Sequence, residues 1–142
     1  HWRKKKLPVI HIQHLSLLPQ SPLNPKTTGV RFMDFASPLD GEPVFQKNVN
    51  SAFIGTSLKE VLLSKDYKEL VLIGLTSDHC VSTTTRMAAN LGFKVTLPQD
   101  ALATFDRKGF DGKIYSAQTV HEISLASLHE EFAHVTTTQR LI

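Results

Sequence analysis

The sequence predicts an α/β fold with three layers (α-β-α), in which a Rossmann-like parallel sheet carries helices on both faces. Segments typical of strands alternate along the chain with segments typical of helices, and this alternation favours a parallel sheet. Residues 70–75 form a continuous apolar run, which is typical of a parallel strand buried on both faces. A chain of 142 residues is long enough for one core, so we expect a single domain over residues 1–142.

Four further strands are expected, and a long loop separates the first two of them. Residues 7–13 are rich in β-branched side chains, and residues 44–47 form a short second strand. Between them, residues 15–42 contain four prolines, which exclude long regular elements. The last strands are expected at residues 93–97 and 133–137.

Three segments have the apolar periodicity of helices that pack one face against a sheet. The first begins after Ser57, which forms a capping box with Glu60. The others are expected at residues 79–91, where Gly92 suits the helix end, and at residues 117–131. The inward-facing residues are expected to be Leu58, Val61 and Leu62, then Val81, Thr84, Ala88 and Leu91, then Leu125, Leu128 and Phe132.

The composition, with 41% hydrophobic and 20% charged residues, is that of an ordinary soluble protein. No apolar run approaches the roughly 20 residues of a membrane-spanning helix, and no signal peptide is recognised. The net charge is +3, and residues 3–6 are all basic, at the end of an expected surface helix over residues 1–6. So short a run is typical of a solvated helix end. We therefore expect neither a membrane nor a nucleic acid as partner.

The single cysteine, Cys80, excludes an internal disulfide and fits a reducing compartment, so the expected location is the cytoplasm. A lone cysteine is either an inert buried thiol or a reactive one. Cys80 follows the apolar strand at the N-terminus of the next helix, beyond the carboxyl end of a strand, where parallel sheets bind ligands. There the helix dipole and backbone N–H groups favour a thiolate and can hold an oxyanion. The position therefore favours a reactive Cys80.

Two segments resemble the isochorismatase-like cysteine hydrolases, a superfamily that includes nicotinamidases and N-carbamoylsarcosine amidase. Residues 74–81, Gly-Leu-Thr-Ser-Asp-His-Cys-Val, are similar to the nucleophile segment of that family. In residues 46–58, Lys47 ends a strand and an Ala-Phe-x-Gly-Thr-x-Leu run follows, as in the catalytic-lysine segment. Both segments occur in the order found in the family, and the resemblance covers most of residues 7–138.

The resemblance implies catalysis by an Asp, a Lys and a Cys. Cys80 would be the nucleophile that attacks an amide or related carbonyl, and Lys47 the cation that lowers the pKa of the thiol. A non-proline cis peptide is implied between Leu75 and Thr76, where it would direct the Thr76 and Cys80 amides at the oxyanion. The Asp of the family ends an earlier strand than any in this chain. We therefore expect that the chain is N-terminally incomplete or has lost its base.

Two residues beside Cys80 have competing interpretations. His79 could suggest a Cys–His pair, but sequence neighbours at a helix start point in different directions. A surface or pocket-edge position is therefore favoured for His79. Asp78 is typical of a turn or a helix cap.

Three aromatic or polar residues elsewhere are candidates for a pocket. Phe53 is interpreted as a core residue, with a pocket position as the alternative. Asp100 begins an Asp-Ala turn after a strand and is interpreted as structural, with Thr104 and Phe105 near the pocket.

The seven histidines do not predict a metal site. His11 and His14 are three positions apart on a strand and point to opposite faces. No pair among the seven has a tight ligand spacing with a carboxylate partner. The metal site of nicotinamidases lies in the loop after the second strand, and here that loop begins at His14 and contains no further histidine. We therefore expect no metal and no cofactor, which argues against nicotinamide as the substrate.

The leading interpretation is hydrolysis of a C–N bond in a small amide or carbamoyl compound, through an acyl-enzyme on Cys80. Isochorismatase itself does not use a cysteine nucleophile, so Cys80 favours the C–N branch. The alternative is a non-catalytic binding or oligomerisation domain of the same fold. A nucleic-acid-binding fragment is the weakest interpretation. The resemblance implies a small-molecule substrate and a homo-oligomer.

Overall fold

The computed structural model describes residues 1–142 and divides into two compact units, His1–Glu60 and Val61–Ile142. Parallel strand pairs and helices make up both, in agreement with the α/β class. The expectation of a single domain stays a prediction. None of the helices has the length and apolar character needed to cross a membrane.

In the N-terminal unit, strand β1 (His11–His14) pairs in parallel with β2 (Val44–Lys47). The register places Gln13 opposite Gln46 and His14 opposite Lys47. The connecting loop has two short 3-10 turns, Thr28–Val30 and Asp34–Ala36, which accords with its prolines.

The start of the N-terminal unit differs from the prediction in two ways. The expected helix end is a single 3-10 turn, Arg3–Lys5, which closes when the Leu7 N–H donates to the Trp2 carbonyl. The expected strand 7–13 begins only at His11, which pairs with Val44, the first residue of β2.

In the C-terminal unit, three parallel strands form a sheet in the order β3-β5-β9. These are β3 (Glu69–Val71), β5 (Lys94–Pro98) and β9 (His134–Thr136). A short strand, β4 (Gly74–Leu75), pairs in parallel with β6 (Leu102–Ala103).

The sequence did not predict the antiparallel hairpin of β7 (Arg107–Lys108) and β8 (Ile114–Tyr115). Each of its strands is two residues long, too short for an alternating pattern to be recognised. Gly109 and Gly112 shape the turn, where the Gly112 N–H donates to the Gly109 carbonyl at 3.0 Å.

The apolar run 70–75 is not one strand buried on both faces, so this prediction is wrong. It is divided between β3 and β4, and Gly74 has a φ of +117°, which interrupts the extended backbone. Ile73 and Leu75 are 66% and 48% exposed. Ile73 lies between the two strands, and Leu75 ends β4, which is only two residues long.

Four helices follow the strands: α1 (Leu58–Ser64), α2 (Ser82–Asn90), α3 (Ala117–Ala126) and α4 (Thr138–Leu141). Helix α1 begins directly after Ser57, as predicted. A π-helical turn, Ser77–Val81, precedes helix α2. The helical segment therefore begins two residues before the predicted start at residue 79. Gly92 adopts a φ of +90° and ends it, as predicted.

Two details of the predicted helices are wrong. Thr85 rather than Thr84 is buried on α2, and its hydroxyl has no hydrogen-bond partner. The third helix ends at Ala126 instead of residue 131, because the chain reverses in a turn where Glu130 has a φ of +66°. The Ala133 N–H closes this turn on the Leu128 carbonyl at 3.0 Å.

The core of the C-terminal unit lies around β5 and the helices. Leu97, Ala88 and Leu128 are fully buried, and Val95 and Leu125 lie beside them in the buried apolar set. Leu97 occupies the central strand of the three-stranded sheet. This core holds the end of β4 and the start of α2, from which the candidate site is built.

We expect Leu97→Ala to lower the free energy of unfolding by about 2–5 kcal/mol, because the side chain is fully buried and its loss leaves a cavity. Leu63→Ala is the matched control, because Leu63 is 57% exposed on α1. It should change stability by no more than about 0.5 kcal/mol. Urea denaturation followed by circular dichroism measures both, and equal losses would contradict this assignment of the core.

Candidate active site

Cys80 lies in a turn that joins β4 to α2, here called the Cys80 turn (residues 76–81). The peptide bond from Leu75 to Thr76 is cis, at the position that the resemblance implied. The N–H groups of His79 and Val81 donate to the Thr76 carbonyl at 3.2 and 3.1 Å. Cys80 is half-buried within this helical segment. The backbone agrees with the prediction, while the catalytic and oxyanion roles of Leu75, Thr76 and Cys80 stay predictions.

The Cys80 turn is attached to α3 through a buried serine. Ser77 is fully buried, and its Oγ lies 2.7 Å from Nδ1 of His121 in a hydrogen bond. His121 itself is half-buried. A serine–histidine contact over 44 residues has no local sequence signal.

Asp78 also ties the turn to a distant segment. Its Oδ1 accepts from Thr104 Oγ1 at 2.6 Å, and its Oδ2 accepts from Arg107 Nε at 2.7 Å. Arg107 Nη2 adds a contact to Oδ1 at 3.2 Å, so the ion pair is bidentate. His79 Nε2 lies 3.4 Å from Oδ2, and His79 itself is exposed, in agreement with its surface interpretation.

These contacts set the charge state of Asp78. Burial raises its pKa, but hydrogen bonds from Arg107, Thr104 and Thr76 outweigh burial and hold the pKa well below the usual 3.8. Asp78 lies in a turn, as expected, but no side-chain capping bond exists at the start of this segment. The sequence analysis missed Arg107, which follows β6 without any motif.

Lys47 belongs to the N-terminal unit, where it ends β2. It is only 6% exposed, and its Nζ donates to the Val49 carbonyl at 2.9 Å and to Nδ1 of His14 at 3.2 Å. Burial and the charge of Lys47 lower the pKa of His14, and a hydrogen bond to the Val49 carbonyl offsets this only in part. His14 is therefore neutral at pH 7. The sequence analysis did not assign this role to His14.

The other predicted residues are divided between the units. Phe53 is half-buried in the N-terminal unit, near Ser51, whose Oγ accepts from the Phe53 N–H at 3.2 Å. In the C-terminal unit Thr104 lines an open groove of about 430 Å³, and Phe105 is 60% exposed. The pocket roles of Phe53, Thr104 and Phe105 stay predictions, as does the pairing of Lys47 with Cys80.

Asp100 has the structural role that was expected. Its Oδ1 accepts from the Thr138 N–H at 2.8 Å, and its Oδ2 accepts from the Thr138 hydroxyl at 2.5 Å, so it holds the start of α4. The two histidines of β1 take separate partners: His11 contacts Glu42 at 2.7 Å, and His14 contacts Lys47. The expectation of no metal stays a prediction.

The basic run 3–6 is not uniformly solvated. Arg3 forms a bidentate pair with Glu42, both contacts at 2.8 Å, and also donates to the Ser37 carbonyl. Arg3 and the Leu39 N–H lower the pKa of Glu42 to about 2. Glu42 thus joins the first residues to the loop before β2.

Asp78→Asn should destabilise the protein at pH 7 by on the order of 2 kcal/mol, because Arg107 loses a charged partner. Folding lowers the pKa of Asp78, so the unfolded chain takes up the proton first as the pH falls. The stabilisation is therefore complete above about pH 5 and is lost at more acidic pH.

Urea denaturation at several pH values between about 2.5 and 7 tests this window. Asp66→Asn is the matched control, because Asp66 is an exposed carboxylate in a surface pair with Lys68. The difference in the free energy of unfolding between wild type and Asp78→Asn should become smaller in acid. A difference that does not depend on pH would contradict a stabilising ion pair.

Comparison with known proteins identifies the family of this chain. The profile of the Isochorismatase domain matches residues 1–140. An isochorismatase family protein of Bacillus subtilis (strain 168), YrdC, is 48% identical over 141 residues, which cover 99% of this chain and 75% of that protein. N-carbamoylsarcosine amidase of Arthrobacter sp. is 33% identical over 87 residues, 61% of this chain and 33% of that protein.

A solved structure supports the same conclusion. A protein of Chromobacterium violaceum ATCC 12472, assigned to the isochorismatase family as a hydrolase, superposes with a TM-score of 0.93 at 41% identity. The match covers 99% of this chain and 72% of that chain. These findings confirm the resemblance and the fold class: the chain belongs to the isochorismatase family of hydrolases.

Proposed function

We propose that this chain supplies the nucleophile and the cation of a cysteine hydrolase that cleaves a C–N bond in a small amide or carbamoyl compound. The observation that carries the proposal is the Cys80 turn, where the end of a strand meets the start of a helical segment at a half-buried thiol. Backbone N–H groups at such a start stabilise negative charge. This supports both a thiolate at Cys80 and an oxyanion held by the Thr76 and Cys80 amides.

Two observations support the class of bond. Membership of a hydrolase family supports addition of water to a small molecule. The partial match to N-carbamoylsarcosine amidase favours a C–N bond, since that relative is named for an amidase reaction.

The proposed chemistry proceeds through an acyl-enzyme. The Cys80 thiol gives its proton to a carboxylate base, the Asp of the catalytic set that the resemblance implies. The thiolate bonds to the carbonyl carbon, and the resulting oxyanion is held by the two amides. The C–N bond then breaks, and the nitrogen leaves with the proton from the base. Water attacks the thioester carbon and gives a proton to the base, the C–S bond breaks, and the acid product leaves as the base returns the proton to the Cys80 sulfur.

Lys47 is proposed to favour the thiolate by its charge. It is buried, and a buried ammonium acts through a lower dielectric than an exposed one. A cation favours the charged form of an acidic group that it acts on. The role of Lys47 can therefore be measured in the rate at which Cys80 is alkylated.

We expect iodoacetamide to alkylate Cys80 at pH 7 in the folded protein, because the thiolate is the reactive form. Lys47→Met should slow this alkylation severalfold, because it removes the charge proposed to favour the thiolate. Lys59→Met, which removes a lysine from α1, is the matched control and should leave the rate unchanged. Mass spectrometry after timed labelling from pH 5 to 9 gives the rates. A thiol that stays unmodified at pH 7 in the folded protein would sink the proposal.

Turnover separates the hydrolase from the alternative, a binding or oligomerisation domain. The protein should release ammonia or an amine from one or more members of a panel of small amides and carbamoyl compounds. Cys80→Ala should abolish release while the fold, followed by circular dichroism, is kept. A labile thiol without any release across the panel would favour the non-catalytic domain.

The cytoplasmic location and the homo-oligomer remain expectations of the same proposal. Size-exclusion chromatography with light scattering measures the second directly.

A further inference from the structure

The ammonium of Lys47 needs acceptors because it is buried. A buried charge without hydrogen bonds is strongly unfavourable, so the acceptors around Nζ determine the position of the ammonium group. Two of them are the Val49 carbonyl at 2.9 Å and Nδ1 of His14 at 3.2 Å. The first is backbone and cannot titrate, whereas the second can.

The chemistry of the contact determines the state of the imidazole. An ammonium has N–H donors and no acceptor, so Nδ1 of His14 must accept and carry no proton. The ring is then the neutral tautomer with its hydrogen on Nε2. Burial and the positive charge of Lys47 both disfavour the imidazolium, which agrees with a lowered pKa for His14.

The strand register brings the two side chains together. His14 and Lys47 are paired residues at the ends of parallel strands, so their side chains leave the sheet on the same face. On the opposite face, Gln46 Nε2 donates to Gln13 Oε1 at 2.9 Å, which supports the same register. Lys47 is the charged group that faces His14 from β2, whereas Glu42 contacts His11.

We infer that His14 is a positioning residue for Lys47, and that its neutral Nδ1 orients the ammonium that the proposed hydrolase uses to favour the Cys80 thiolate. This inference rests on the proposed function for its effect on Cys80, but the hydrogen bond itself does not. Protonation of His14 in acid removes the acceptor and places a second positive charge beside Lys47. The orientation of Lys47 is therefore coupled to pH through His14.

Two variants separate the acceptor from the titration. His14→Asn keeps an acceptor near the position of Nδ1 but does not titrate, whereas His14→Leu removes both. His134→Asn is the matched control, because His134 is an exposed histidine on β9. Circular dichroism and thermal unfolding identify any variant that fails to fold, and His14→Asn keeps the test open if His14→Leu does not fold.

The direct readout is side-chain NMR of Lys47 and His14 as a function of pH. We expect a His14 pKa below 6.5 and an inflection in the Lys47 Nζ and Cε shifts at that same pKa. The inflection should vanish in His14→Asn and persist in His134→Asn. A His14 pKa above 6.5 would overturn the inference, and so would Lys47 chemical shifts that do not change at the His14 pKa. Either result would hold independently of the alkylation rate of Cys80.

The functional readout is the alkylation rate of Cys80 from pH 5 to 9. We expect His14→Asn to stay within about threefold of the wild-type rate at pH 7.5 and His14→Leu to be severalfold slower, because it has lost the acceptor that orients Lys47. In acid, the wild-type rate should fall more steeply than that of His14→Asn, because protonation of His14 removes the acceptor only in the wild type. If Lys47→Met slows labelling and His14→Leu does not, the positioning role is wrong. If Lys47→Met itself has no effect on the labelling rate, the proposed function fails. The NMR measurement still tests whether Lys47 and His14 are hydrogen-bonded.

Discussion

The Asp78 carboxylate holds the turn between β4 and α2 against the segment that follows β6. Without it the turn would rest on backbone hydrogen bonds and on the Ser77–His121 contact. Asp78 is 12% exposed, so its charge is stabilised by Arg107 and Thr104 more than by solvent. A bidentate pair also fixes direction, because both carboxylate oxygens are committed. The position of Cys80 therefore depends on residues far from it in sequence.

A related constraint operates in the N-terminal unit, where the charge is positive. Two of the groups that contact Lys47 Nζ are a backbone carbonyl and an imidazole nitrogen. Both are neutral acceptors, so these two contacts hold the side chain in place without a carboxylate. In Asp78, by contrast, the charge is neutralised by Arg107 and serves to hold structure.

The sequence was most informative where the signal is local. The strand 44–47, the helix start after Ser57 and the end of α2 at Gly92 depend on neighbouring residues, and all three were predicted correctly. The cis peptide came from family resemblance. The prediction of a single buried strand over residues 70–75 was wrong, because the composition of this run does not show that Gly74 interrupts it. Arg107 and His14 were missed because their partners lie 29 and 33 residues away.

The parallel register of β1 and β2 constrains how this part of the family can change in length. Side chains of a strand alternate between faces, so inserting one residue within β2 would turn Lys47 to the opposite face and away from His14. Residues 15–43 lie outside the ladder, and lengthening such a loop costs little chain entropy. Insertions and deletions are therefore tolerable in the loop and disabling in the four residues that follow it.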